Sequence, residues 1–231
     1  MRKFIIASLI TGLAVALVFV VPTVSQAAIS IGSFPAYVYK DGGSADNHYI
    51  PGGWMGDTGD LYANESEGTI KYLGTSSTKI IYSGTGSGGF DWAGMYWLSP
   101  DGNWGTDPNG GWDVTGAKSL TFWTRGDVGG EVISFGVGGV GGAYGCTLAP
   151  KVSTGNIALT TTWTQHEIDL TGKDLSRIVG GFEFDTNNTM NPSGATFYVD
   201  EVRFEPIPEP STLLLLGTGL VGLVGLARKK K

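Results

Sequence analysis

Lys118-Ser119-Leu120-Thr121-Phe122-Trp123-Thr124-Arg125 is the stretch on which the fold turns. Leu120 and Phe122 fall on one face of an extended chain, and Thr121, Trp123 and Arg125 fall on the other. A period of two puts one face on a core and the other in water. Residues 162–170 behave alike, with Trp163, Gln165 and Glu167 alternating against Thr164, His166 and Ile168. After the first stretch, Gly126-Asp127-Val128-Gly129-Gly130 reads as a hairpin turn into the next strand.

Outward from there, short β-branched and aromatic runs recur between Gly, Ser, Thr, Asn and Asp. They predict strands at residues 36–40, 69–73, 79–83, 94–98, 119–125, 131–137, 156–159, 162–169, 178–184 and 196–204. Residues 172–176 read as a short helical turn, and Gly180-Gly181 as a bulge. Three polar, Gly-rich loops cover residues 41–60, 84–116 and 138–145. The last lacks the following helix and the Lys-Ser/Thr of a phosphate cradle. No amphipathic run reaches three helical turns, so the expectation is an all-β sandwich or barrel.

Both ends differ from this body. Met1-Arg2-Lys3, an apolar run to residue 21 and Ser25-Gln26-Ala27 make residues 1–27 a secretory signal peptide. At the other end, Pro208-Glu209-Pro210-Ser211-Thr212 leads into an apolar run at 213–227 and a basic end at 228–231. As a helix that run would span about 22 Å, short of the roughly 30 Å of a bilayer core. The basic end stays cytoplasmic. Residues 208–231 therefore suit a processed membrane signal better than a permanent anchor. The remaining body, 28–207, is expected to be one domain.

The body carries nine Lys/Arg against twenty Asp/Glu, a net charge of −11. That excludes nucleic acid and anionic membrane surfaces as its partners. Cys146 is the one cysteine, so there is no internal disulfide, and with only two histidines it suggests no thiol nucleophile.

The tail resembles a PEP-CTERM sorting signal, carried by Pro208, Glu209 and Pro210 with the apolar run and basic end. The resemblance implies an exosortase as processing partner and membrane contact through the C-terminal helix before processing. It also implies delivery to the cell envelope, outer surface or extracellular matrix after transient inner-membrane anchoring. Thr196-Phe197-Tyr198-Val199-Asp200-Glu201-Val202-Arg203-Phe204 is similar to the last strand of galactose-binding-like jelly rolls, the fold of many carbohydrate-binding modules. Trp92-Ala93-Gly94-Met95-Tyr96-Trp97 and Leu120-Thr121-Phe122-Trp123 resemble the middle of the same fold. This implies a single jelly-roll β-sandwich between the signal peptide and the sorting helix. It also implies a structural calcium on Asp200, with Asp41, Asp57 or Asp60 as further ligands.

Sugar recognition needs flat apolar faces for pyranose C–H surfaces and polar groups for hydroxyls. Trp92, Tyr96, Trp97, Trp104 and Trp112, with Asn103 and Asp107, supply that mixture within a short span. Trp104 and Trp112 are expected to be the most exposed, and Trp123 and Trp163 to lie in the core. Glu183 and Asp185 share a strand face, and no Ser-His-Asp order or zinc motif stands out. The expected function is noncatalytic binding of a polysaccharide or other glycan by an exported surface or matrix protein. A structural matrix protein without a sugar site and a glycan-acting hydrolase are the alternatives.

Overall fold

The computed structural model describes residues 27–206; the signal peptide and the sorting helix at 213–227 lie outside the described residues. The strands are β1 (Ile29–Ser30), β2 (Ala36–Tyr39), β3 (Ile50–Gly56), β4 (Leu61–Glu67), β5 (Ser77–Tyr82), β6 (Trp92–Leu98), β7 (Trp112–Asp113), β8 (Ala117–Gly126), β9 (Val132–Val137), β10 (Val152–Ala158), β11 (Thr164–Asp169), β12 (Gly180–Asn187) and β13 (Ala195–Pro206). One 3-10 turn, Thr58–Asp60, precedes β4.

Two sheets face each other as a jelly-roll sandwich. One runs β10-β9-β12-β6-β3; the other runs β11-β8-β13-β5-β4, with β2 also paired to β13. The period-two alternation sets the layers. Leu120 and Phe122 of β8 point inward, where Phe122 meets Phe182 at 4.9 Å and Phe135 at 5.1 Å. Phe184 and Phe197 close the other part of the core edge-on at 5.1 Å. Gly180 and Phe182 bracket a register shift against β6, the bulge expected at Gly180-Gly181.

Several expectations fail for local physical reasons. Residues 126–130 do not turn a hairpin. β8 pairs with β11 and β13 and β9 with β10 and β12, so the connection crosses between sheets. Residues 69–73 form a loop, because the backbone N–H groups of Thr69, Ile70, Tyr72 and Leu73 go to the carboxylates of Glu67 and Asp200. Residues 172–176 form an irregular loop leaving the turn at 171–172, with no helix. Within the expected first loop lies β3. Pro51 and its neighbouring glycines hide this strand, which survives at the sheet edge with a register shift between Pro51 and Gly53.

Candidate glycan-binding face

β6 divides its side chains between two environments. Ala93, Met95 and Trp97 enter the main core, while Tyr96 and Leu98 join a satellite cluster with Val140 and Val179, flanked by Met55 and Cys146. That cluster sits on the outer face of the five-stranded sheet, under the Gly-rich segment after β9. The segment is locked against the loop that follows β6. Gly105, at φ +80°, lies so close to the Gly141 carbonyl that no Cβ fits between them. The Tyr144 N–H donates to the Gly105 carbonyl at 2.9 Å.

Asn103 builds the loop that presents Trp104. Its Oδ1 accepts from the N–H groups of Gly105, Thr106 and Asp107, and its Nδ2 donates to the Ser99 carbonyl at 3.0 Å. Asn103 is buried, so it positions the loop and is corrected from a ligand contact to a scaffold. Asp107 accepts from the Asn109 N–H and shapes the next turn. Trp104 stands 41% exposed, with its ring edge-on to Tyr96 at 5.8 Å. Tyr96 itself is nearly buried and donates to the Gly138 carbonyl at 3.0 Å; burial raises its phenol above the usual range. Trp92, 36% exposed, is on the same outward register of β6, four residues and about 13 Å from Tyr96.

Between and beside these rings the sheet presents charge. Across the strands, Tyr96 pairs with Glu183 and Glu183 with Gly136, while Gly94 pairs with Asp185 and Asp185 with Ser134. Gly136 leaves room for the Glu183 carboxylate, whose Oε1 would collide with any Cβ there. Lys151 Nζ donates to Glu183 Oε1 at 2.7 Å and to Asp185 Oδ2 at 2.9 Å. Burial alone would lower the Lys151 pKa, but the two carboxylates hold it above its usual value. Glu183 is fully buried, its Oε2 has no hydrogen-bond partner, and burial pushes its pKa to about 7 against the pull of Lys151. With no exposed oxygen, Glu183 cannot pass a proton to a bound sugar. The triad therefore orders the face and does not resemble a hydrolytic pair across a cleft.

A carboxyl whose pKa rises on folding stabilises the native state below its unfolded value and loses that contribution as pH rises through the folded one. Glu183 should therefore cost stability between about pH 4.5 and 7, on the order of 3 kcal/mol in full. Denaturant melts of wild type and Glu183→Gln across that window check this. The variant should gain on wild type with rising pH, and parallel curves would contradict it.

The other expected contacts lie elsewhere. Trp97 is wholly inside, packed on Phe182 at 5.3 Å and Phe184 at 6.3 Å, and is corrected from ligand contact to core. Trp112 is half-buried, donates Nε1 to the His48 carbonyl at 2.8 Å and packs edge-on to that imidazole at 5.0 Å, apart from the Tyr96–Trp104 pair. Trp123 and Trp163, expected in the core, are half-buried on the outer side of the six-stranded sheet, where Tyr72 contacts both. Lys151 had no sequence signal, because its partners are 32 and 34 residues away.

The calcium expectation does not fit its residues. The Asp200 carboxylate, fully buried, accepts N–H donors from Tyr72 at 2.8 Å, Leu73 at 3.2 Å and Glu201 at 2.8 Å. Asp41 is taken by Thr75 and Ser76, Asp60 by Ser83, Thr85 and Gly86, and Asp57 by Gly88. Oxygens that face N–H and O–H donors are not offered to a cation, and among the described residues no group of three His, Cys, Asp or Glu gathers around a common point. Asp200 is a loop clip. Asp200→Ala should cost about 1–3 kcal/mol, while a chelator should leave the wild-type melting temperature unchanged. A chelator-induced fall would restore the ion.

Comparison with known proteins supplies an address and a likeness of fold. Residues 206–230 match the PEP-CTERM protein-sorting motif. The family 30 carbohydrate-binding module of a cellulosomal cellulase of Clostridium thermocellum is 14% identical, with a TM-score of 0.49, covering 77% of this chain and 100% of that one. A second family 30 module structure is 16% identical at a TM-score of 0.49, covering 79% and 97%. A family 11 module of a Clostridium thermocellum cellulosomal cellulase is 16% identical at 0.38, covering 67% and 88%. No curated protein sequence matches the chain. The motif makes this an exported, exosortase-sorted protein, anchored in a membrane by its C-terminal segment before processing.

Proposed function

We propose that this exported protein binds a neutral polysaccharide, without catalysis, on the outer face of its five-stranded sheet. The observation that carries the reading is the pair Trp92 and Trp104. Two large indoles stand 36% and 41% exposed on one sheet face, beside the Lys151–Glu183–Asp185 triad. An exposed tryptophan held by a rigid loop offers stacking area with little entropy to lose on binding. The −11 charge of residues 28–207 disfavours polyanions and leaves neutral glycans as the ligand class. The sorting motif would deliver the binding face to the cell envelope, outer surface or extracellular matrix.

Native electrophoresis in gels containing galactomannan, xylan, mixed-linkage β-glucan or dextran tests this. Retardation by at least one neutral polymer, and none by alginate, is expected. Uniform mobility in all of them would favour a structural surface protein without a sugar site. For the tail, deletion of 208–231 should release or misroute the protein, read by cell fractionation; unchanged retention would contradict that role.

A further inference from the structure

We propose that the outer face of the six-stranded sheet carries a second contact for a neutral polysaccharide, built on Tyr72 and Trp163, so that one molecule bridges two glycan chains. This rests on the glycan reading of the first face. Tyr72 lies flat on Trp123, with centroids 3.8 Å apart and planes at 14°, and Trp163 stands beside Tyr72 at 6.2 Å and 61°. The two rings form an open corner, with Tyr72 41% exposed.

Tyr72 does not belong to the sheet. Its loop is pinned over the sheet by three carboxylates spent on backbone N–H groups. Asp200 takes Tyr72 and Leu73, Glu67 takes Thr69 and Ile70, and Asp41 takes Thr75 and Ser76. So much anchoring fixes an aromatic ring in water before any ligand arrives, the preorganisation that stacking on a sugar rewards. The rim has the matching polarity. Gln165 sits exposed directly opposite Trp123, and Glu167 follows on the same face. These are hydroxyl partners, and the acidic body again excludes polyanions. The two faces look away from each other across the sandwich, so both can be filled, and a bivalent protein gains avidity and cross-links chains.

The test uses the full chain with galactomannan and mixed-linkage β-glucan, reading gel retardation and the turbidity of mixtures. Wild type should be retarded and turn mixtures turbid. Tyr72→Ala/Trp163→Ala and Trp92→Ala/Trp104→Ala should each still be retarded, but more weakly, and lose turbidity. The fourfold variant should lose about tenfold or more of the affinity left in either pair. Melting curves show that each variant is folded. Wild-type turbidity and retardation in folded Tyr72→Ala/Trp163→Ala overturn the second contact alone. Wild-type behaviour in Trp92→Ala/Trp104→Ala overturns the first face, and no retardation of wild type by either polymer overturns both. A wild-type dimer that Tyr72→Ala converts to monomer, seen by light scattering, makes this face a self-association surface and also overturns the proposal.

Discussion

Alanine at Trp97 should unfold this protein more readily than any other tryptophan replacement. The side chain is fully buried between the sheets and packs on Phe182 and Phe184. Removing an indole from such a site costs about 3–5 kcal/mol, through lost transfer energy and the cavity left behind. For a domain of this size that lowers the melting temperature by roughly 10 °C or more. Thermal melts followed by near-ultraviolet circular dichroism read the effect. A shift within a few degrees would mean that Trp97 does not occupy the core.

Trp104→Ala should do the reverse. The ring is 41% exposed and leans on Tyr96 by its edge, so its loss should move the melting temperature by less than about 4 °C. Retardation by a neutral polysaccharide should weaken roughly tenfold, about 1.4 kcal/mol. Trp92→Ala should behave alike, and the pair should exceed either alone. Stability lost with binding intact would reverse the roles assigned to Trp97 and Trp104.

The contrast between those two tryptophans also shows how far the residues could be read before folding. Alternation in β8 assigns Leu120 and Phe122 to the core, and the structure agrees. The same alternation in β6 separates Trp92 and Tyr96 from Trp97, but an aromatic cluster draws attention as a unit and the parity is easily overlooked. Trp123 shows the opposite slip. Its parity already placed it outside, whereas its place within a strand suggested the core. Edge strands are harder to see. Ile50–Gly56 contains Pro51 and three glycines, turn signals everywhere except at an edge, where a missing N–H or side chain is tolerated. Residues 69–73 have strand composition, yet Asp200, far away in sequence, captured the N–H groups of Tyr72 and Leu73, a competition that no local pattern reveals. Lys151 is legible only in three dimensions, since its role comes from two acids on another strand. The sorting tail needs no tertiary partner to be recognised, which is why it was the most readable part of the chain.

The most direct measurement is a two-dimensional spectrum of the indole N–H groups, one signal for each of the seven tryptophans, recorded while gluco-, manno- and xylo-oligosaccharides are added in turn. With one of them, the Trp92 and Trp104 signals should shift together and saturably while the Trp97 signal stays fixed. Signals of Trp92 and Trp104 that remain still throughout, in a protein retarded by the corresponding polymer, would contradict the assignment of the five-stranded face as the glycan site.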